Sequence, residues 1–275
     1  MVASEVHYPK SLAEVLELQR LHPSLLLFAG GTDIQRGRGG RYIDLPPVVA
    51  LLEGVPELHL ITRTERFLEL GSTLTLGSLL ELKKGILPEA LVAAIGGVAT
   101  PAIRNLATLG GNLAARGRFM DLWGVLACLD TLVELRDPAG PRWVGLNRLC
   151  DDEGRPAFPA GSLLTRARLP VEAWNSWLLR SLADPEEQGS GKAVFTLLAR
   201  VEKGLVSAFR LALAGRRLLR FPAIEARLVG TRLPLARKEI RELKEDYRRA
   251  ASELAPLAAD RLASLVELAL EGYSR

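Results

Sequence analysis

The stretch TLGGNLA, residues 108–114, sets two adjacent glycines and an asparagine between apolar residues. A second glycine pair stands in AGGTD, residues 29–33, directly after an apolar run that begins at Ser24. Glycine allows close approach of a ligand, and consecutive N–H groups in a turn can bind a phosphate without a charged side chain. We therefore expect two glycine turns that together bind the two phosphates of a dinucleotide, although either glycine pair alone is more typical of an ordinary turn.

Composition narrows the class of protein. The 275 residues suggest two domains, and the formal net charge of +4 is spread along the chain. Aromatic residues make up 5% of the chain, so no stacking platform for nucleic acid is visible.

The cysteines indicate the compartment. Cys128 and Cys150 fit neither a disulfide framework nor a zinc or iron–sulfur set, which is typical of a protein in a reduced cytoplasm. Neither a signal peptide nor an apolar run of about 18 residues is present, so we expect a soluble, cytoplasmic protein without a membrane span.

The first part of the chain mixes helix and strand patterns without regular alternation, which favours an α+β fold. A capping box of Ser11 and Glu14 predicts a helix, followed by a strand in residues 24–31 and a short strand RYIDL in 41–45. Residues 58–82 predict two strands and a short helix from Ser78, residues 87–99 and 121–129 predict helices, and residues 131–146 predict a hairpin.

After Pro170 the pattern changes. Residues 194–202, 206–215 and 216–230 predict a small antiparallel sheet, and the remainder predicts two helices broken near Pro256. We therefore expect a first domain in residues 1–165, with subdomains of about 1–55 and 56–165, and a C-terminal domain in 166–275.

Several common site motifs are absent. GRGGRY, residues 37–42, fails the Rossmann pattern at Tyr42, and GSGKA, residues 189–193, lacks both the earlier glycine and the later Ser or Thr of a P-loop. His7, His22 and His59 have no metal-ligand spacing, and no nucleophile elbow is present. The sequence thus predicts no metal site and no catalytic acid, base or nucleophile.

Four segments occur together in an order and spacing typical of one family. They are LLFAGGTDI, LELGSTLTLGSL, TPAIRNLATLGGNLA, and Asp121 ahead of LWGVLACLDTLVEL. Over nearly all of the first 170 residues the chain resembles the FAD-binding medium subunit of the molybdenum hydroxylases, the family of the carbon monoxide and xanthine dehydrogenase flavin subunits. The resemblance implies a two-part FAD-binding domain of the vanillyl-alcohol-oxidase (PCMH) type, followed by a small C-terminal domain with an antiparallel sheet and helices.

The resemblance also implies positions for the cofactor contacts. Asp121 would accept hydrogen bonds from the adenosine ribose, Leu163 would pack near the cofactor, and Thr100 would lie beside the flavin. Asp121 and Asp33 have a second interpretation, as caps of a helix and of a turn. Both glycine loops would hold the pyrophosphate, through Ala29, Gly30, Gly31, Thr32 and Asp33, and through Thr108, Leu109, Gly110, Gly111 and Asn112.

An electron-transfer role follows from the same resemblance. Electrons would reach FAD from a molybdopterin-containing large subunit through the 2Fe–2S clusters of a small subunit, and would leave to an external acceptor. The sequence departs from the family's basic F-x-K-x-x-R-R segment, of which only Phe195 and Arg200 remain, and RGRFM, residues 116–120, replaces a Ser-Pro pair. These departures keep a second hypothesis open, a cofactor-free scaffold or assembly subunit with the same fold.

Overall fold

The first structural unit is a small parallel sheet with one helix. The computed structural model describes residues 5–34, 45–115, 120–183 and 192–273. The first helix begins where the capping box predicts, because the Oγ of Ser11 accepts a hydrogen bond from the Glu14 N–H at 3.3 Å. The elements are β1 (Glu5–His7), α1 (Leu12–Leu21), β2 (Leu26–Phe28) and β3 (Val48–Leu51), with the strand order β1-β3-β2.

The central strand of this sheet is not the one that the sequence predicts. β3 pairs in parallel with both β1 and β2, with Val49 opposite both Val6 and Leu26. Residues 41–44 of the predicted strand RYIDL lie outside the described residues. Since β2 ends at Phe28, the first glycine loop leaves the sheet directly from its edge strand.

The second unit is a five-stranded antiparallel sheet covered by short helices. Its strand order is β4-β5-β8-β6-β7, and the β6–β7 pair forms the predicted hairpin. The elements are β4 (Ile61–Arg63), β5 (Phe67–Gly71), α2 (Leu76–Leu80), α3 (Glu89–Gly96), α4 (Pro101–Arg104), α5 (Leu109–Ala114), α6 (Trp123–Cys128), β6 (Leu132–Asp137), β7 (Gly140–Gly145) and β8 (Leu163–Pro170).

The third unit is a four-stranded antiparallel sheet with two long helices at its end. The strand order is β12-β11-β10-β9, and β10 and β11 pair over most of their length. The elements are β9 (Ser176–Ala183), β10 (Lys192–Glu202), β11 (Leu205–Ala214), β12 (Leu218–Arg220), α7 (Pro222–Leu228), α8 (Arg237–Leu254) and α9 (Pro256–Glu271). The expected α+β class, with an antiparallel C-terminal sheet and terminal helices, is confirmed.

Three details of the sequence prediction are corrected. α2 begins at Leu76 rather than Ser78, because the Oγ1 of Thr75 caps the helix by accepting from the Ser78 N–H at 3.0 Å. Of the strand predicted in residues 216–230, only Leu218–Arg220 is a strand, β12, whereas Pro222–Leu228 forms helix α7. Pro222 lies in the first turn of α7, a position that favours helix initiation. β9 is an additional strand that the sequence did not reveal.

The expected domain boundary near residue 165 falls inside β8. This strand lies in the middle of the second sheet, between β5 and β6. All of β8, including residues 166–170, is therefore part of the same sheet as the rest of the first domain. We propose that the boundary lies after Pro170, where the chain leaves that sheet.

The second and third units share a hydrophobic core. β10 is buried on both faces, since Leu198 joins the core of the second unit while Phe195 and Leu197 join the core under α8 and α9. Helix α6 packs against β10 and β11 at Gly124, where a methyl group would lie 3.1 Å from the Thr196 Oγ1 and 3.2 Å from the Ala214 Cβ. The glycine therefore permits the close contact between the two units.

Both cysteines are free thiols among packed side chains. Cys128 is fully buried in α6, and burial raises its pKa far above the ordinary value. Burial, with a smaller contribution from the Asp151 carboxylate, raises the pKa of Cys150 to about 12. Neither thiol is therefore ionised near neutral pH.

Within the described residues, no helix combines the length and the apolar character needed to cross a bilayer.

A buried ion pair stabilises the same interface. The guanidinium of Arg220 lies 3.0 Å from a carboxylate oxygen of Glu225, a residue that is 2% exposed. It also binds Asp130 at 2.8 Å and donates to the Ala127 carbonyl at the end of α6. Burial opposes the charge of Arg220, but the hydrogen bond and attraction of Glu225 give a net rise in the Arg220 pKa. Arg220 thus remains charged, and its contacts join α7, β12 and the end of α6.

Removing one partner of this pair should destabilise the fold. We expect Arg220→Met to lower the free energy of unfolding by about 3–5 kcal/mol, because it leaves the Glu225 carboxylate buried without its cation. Urea denaturation measures the change. Lys238→Met is the matched control, since Lys238 is 86% exposed and lies 3.8 Å from Glu242. Equal stability of the two variants would contradict a structural role for the buried pair.

Candidate functional site

The two glycine-containing segments line one cleft. The cleft has a volume of about 220 Å³, and its wall includes the whole first loop. The second segment contributes Thr108, Gly111 and Asn112, and apolar surface comes from Val98 and Ile103. A second cavity of about 330 Å³ adjoins the cleft and shares Ala29, Gly30 and Thr108 with it. The fold therefore brings together the two segments that the sequence singled out, which are nearly eighty residues apart.

The first segment is an open loop that requires glycine at two positions. A methyl group on Gly30 would lie 1.7 Å from the Leu106 carbonyl oxygen, and Gly31 has a φ of +67°. Within the described part of the chain, the N–H groups of Gly30, Gly31 and Thr32 donate no backbone hydrogen bond. These N–H groups are therefore available to an anionic ligand in the cleft.

The second segment is not a glycine turn, which corrects the sequence prediction. Residues 109–114 form helix α5, and Thr108 caps it by accepting from the Gly111 N–H at 3.0 Å. The N–H of Leu109 donates to Leu74 at 2.9 Å, and that of Gly110 donates to Ser72 at 2.7 Å. The first N–H groups of α5 thus already have protein partners, so the expected row of free amides exists only in the first loop.

The two glycines of α5 have different surroundings. A methyl group on Gly110 would lie 2.7 Å from the Ser72 Cβ, so this glycine permits contact with the chain that follows β5. Gly111 lies in the wall of the cleft instead, and a methyl group there would meet only the Thr108 Oγ1, at 2.8 Å. Positive φ is not the reason for either glycine, since both are helical.

Asn112 supplies a polar group to the cleft. Its side chain is 7% exposed and lines the cleft one residue after Gly111. Its Oδ1 is buried and has no hydrogen-bond partner within the part of the chain that the structure describes. A buried acceptor without a donor is unfavourable, so this atom indicates a ligand that donates a hydrogen bond.

Asp121 is buried beside the cleft rather than in its wall. It is 8% exposed, and its Oδ1 lies 3.3 Å from the Nζ of Lys192. The same Nζ donates to the Gly97 carbonyl at 2.9 Å, next to the cleft residue Val98. The N-cap of α6 is Leu122, so Asp121 does not occupy the capping position considered from the sequence. Sequence reasoning missed Lys192, which β10 brings from the third unit.

Other expected contacts lie outside the cleft wall. Thr100 caps α4 by accepting from the Ile103 N–H at 3.4 Å. Leu163 is 3% exposed and packs in the core with Leu12 and Val15. Leu109 is fully buried. The sequence missed Val98 and Ile103 in the wall, because an apolar side chain carries no signal that separates a cleft from a core.

The altered basic segment lies in the third unit. Leu197 is 1% exposed and faces the core beneath α8 and α9. Arg200, which the family pattern retains, donates to the Ser207 Oγ at 3.1 Å and so connects β10 to β11. In this chain the segment therefore stabilises the C-terminal sheet.

Comparisons with known proteins match the chain to a family of FAD-binding domains. A family model described as "FAD binding domain in molybdopterin dehydrogenase" matches residues 2–172. The xanthine dehydrogenase FAD-binding subunit of Escherichia coli O157:H7 is 30% identical over 172 residues, which cover 60% of this chain and 57% of that protein. The nicotinate dehydrogenase FAD-subunit of Eubacterium barkeri is 30% identical over 169 residues, 58% of this chain and 56% of that protein. The chain thus spans less than two thirds of either relative.

Solved structures share the fold over nearly the whole chain. A carbon monoxide dehydrogenase structure from Hydrogenophaga pseudoflava matches with a TM-score of 0.78 at 21% identity, covering 98% of this chain and 96% of that one. Quinoline 2-oxidoreductase from Pseudomonas putida 86 matches with a TM-score of 0.75 at 23% identity, covering 100% of this chain and 96% of that one. At these identities the likeness shows the fold.

The contact between Gly30 and Leu106 can be tested by adding one methyl group. We expect Gly30→Ala to lower the free energy of unfolding by about 1–3 kcal/mol, because the new Cβ overlaps a backbone carbonyl and the loop must move. Gly96→Ala is the matched control, since a Cβ there meets no atom within 4 Å. Thermal unfolding compares the two, and an unshifted midpoint in Gly30→Ala would contradict the close approach.

Proposed function

The chain belongs to the FAD-binding domains of molybdopterin dehydrogenases, and from this membership we propose that it is the FAD-binding electron-transfer subunit of a molybdenum hydroxylase. The observation that carries the proposal is the cleft between the first loop and α5. There, unused backbone N–H groups and the unpartnered Asn112 Oδ1 line the same wall. The residues present therefore fit a ligand that combines an anion with hydroxyl donors, as FAD does.

The first loop would hold the pyrophosphate. Gly30, Gly31 and Thr32 offer N–H groups in a loop whose left-handed Gly31 helps successive amides to converge on an anion. Asn112 would accept a hydrogen bond from a cofactor hydroxyl, and Thr108 would keep α5 in place through its cap. Asp121 would accept the ribose hydroxyls, with Lys192 keeping its carboxylate beside the cleft.

The chain's own residues bind and position the cofactor rather than react with a substrate. Of the described side chains in the cleft wall, Asp33 is the one carboxylic acid, and the rest are apolar, hydroxyl or amide groups. Bound FAD would supply the redox chemistry of the site.

Electrons would come from partner subunits. The family description refers to molybdopterin dehydrogenases, and the two relatives are named as FAD subunits of larger enzymes. We infer a large subunit with the molybdenum cofactor, a small subunit with 2Fe–2S clusters, and an external electron acceptor. The free thiols Cys128 and Cys150 support a reducing, cytoplasmic location.

Flavin content tests the proposal directly. The purified chain, reconstituted with FAD and freed of excess, should show visible flavin absorbance at one FAD per chain. The native protein should purify together with molybdenum and iron. A chain that stays colourless but still assembles with its partners would instead support the cofactor-free scaffold subunit.

Asn112 gives a sharper test of the cofactor contact. We expect Asn112→Leu to weaken FAD binding about 2- to 12-fold, because one hydrogen bond contributes about 0.5–1.5 kcal/mol. The FAD-free variant should be as stable as the parent or more stable, because the unpartnered oxygen is gone. Flavin fluorescence titration and thermal unfolding measure both effects. Asn147→Leu, at an exposed position after β7, is the control. Unchanged affinity in Asn112→Leu would contradict the contact.

Substitutions of Asp121 and Lys192 should weaken FAD binding to different extents. If the carboxylate accepts the ribose hydroxyls, Asp121→Ala should weaken FAD binding by about 1–3 kcal/mol. Lys192→Met should weaken FAD binding less, because it keeps the acceptor and removes one group that contacts it. The two dissociation constants are measured by the same titration. A larger loss in Lys192→Met than in Asp121→Ala would mean that the carboxylate acts only through the lysine.

A further inference from the structure

Three potential metal ligands converge at the N-terminal sheet, outside the cleft. Glu5 and His7 are two residues apart on β1, so their side chains lie on the same face of the strand. His22 is the residue that ends α1, and its ring centroid lies 5.7 Å from that of His7. The sequence spacing gave no sign of this cluster, because the fold alone brings His22 back to β1.

The distances between these groups suit a shared ion. One ligand atom from each of Glu5, His7 and His22 lies within 4.8 Å of the other two. Ligands of a tetrahedral zinc ion, with bonds of about 2.0–2.2 Å, are about 3.4 Å apart. Modest side-chain rotations would therefore bring all three atoms to one ion.

One atom of the cluster lacks a well-formed hydrogen bond. The His7 Nε2 is buried, and the Glu5 Oε1 lies 2.9 Å from it. Despite this distance, the two atoms are not aligned as a hydrogen bond, and no other described atom serves as the partner of Nε2. A buried ring nitrogen needs a proton acceptor, a proton donor or a metal ion. The mutual distances of the three ligand atoms suit the last of these.

We propose that Glu5, His7 and His22 form a site for one divalent transition-metal ion of the zinc type. Two imidazole nitrogens and a carboxylate are donors that zinc accepts, and three protein ligands leave a fourth position for water. Magnesium and calcium prefer all-oxygen ligands and are not expected to bind.

The ion would connect β1 to the end of α1. β2 starts at Leu26, four residues after His22, and leads directly into the first glycine loop. Metal binding would therefore restrict the N-terminal unit that carries the loop. Any protein that binds an ion only in its folded state is stabilised by it, so the effect is measurable without a flavin.

Zinc titration into the full chain, with any affinity tag removed, tests the site. We expect calorimetry to show one Zn²⁺ per chain and thermal unfolding to shift upward with zinc, while Mg²⁺ at the same concentration has no effect. His22→Ala and Glu5→Gln should each weaken zinc binding at least tenfold.

His59→Gln is the matched control, since this histidine lies near Thr73 and away from the cluster. It should bind zinc like the parent chain. Glu5→Gln keeps the size of an exposed side chain, so its loss of binding cannot come from unfolding. Equal zinc affinity in the parent, His22→Ala and Glu5→Gln, or no saturable binding to the parent, would overturn the proposal.

Discussion

The reciprocal pairing of two helix starts is the contact on which the cleft depends. The Leu76 N–H donates to the Ala107 carbonyl at 2.8 Å, and the Leu109 N–H donates to the Leu74 carbonyl at 2.9 Å. Thr75 and Thr108 form an antiparallel bridge between these bonds, and each caps the helix that follows it. The same short sequence, Thr-Leu-Gly, thus begins both α2 and α5. Because the two starts hold each other, α5 presents Asn112 to the cleft at a fixed position.

Close backbone packing then joins this pair to the N-terminal sheet. Gly30 lies against the Leu106 carbonyl, one residue before the hydrogen-bonded Ala107. A side chain at position 30 would push the first loop away from α5 and open the cleft. The lack of side chains at the two glycine pairs therefore has a different structural effect in each segment. In the first loop it leaves N–H groups without a backbone partner, whereas in α5 Gly110 allows close packing against Ser72 and Gly111 lines the cleft.

Much of this arrangement could be predicted from the sequence, because local patterns have local causes. The Ser11 cap, the hairpin of β6 and β7, and the paired terminal helices follow from capping, turn chemistry and periodicity. The position of α5 could not, since its glycines suggest a turn until the reciprocal bonds to residues 72–74 are known. Lys192 and the cluster of Glu5, His7 and His22 depend on contacts between distant elements, which no spacing in the sequence reveals. Leu163 and Leu109 are buried in the core, and their expected contacts with the cofactor stay predictions.

We expect the first loop, residues 29–33, to bind the pyrophosphate of FAD, and Asn112 of α5 to accept a hydrogen bond from a cofactor hydroxyl. A crystal structure of the chain with FAD tests it most directly. We expect phosphate oxygens within hydrogen-bond distance of the Gly30, Gly31 or Thr32 N–H groups, and a cofactor hydroxyl within hydrogen-bond distance of the Asn112 Oδ1. A pyrophosphate bound elsewhere, with the first-loop N–H groups directed only to water, would contradict it.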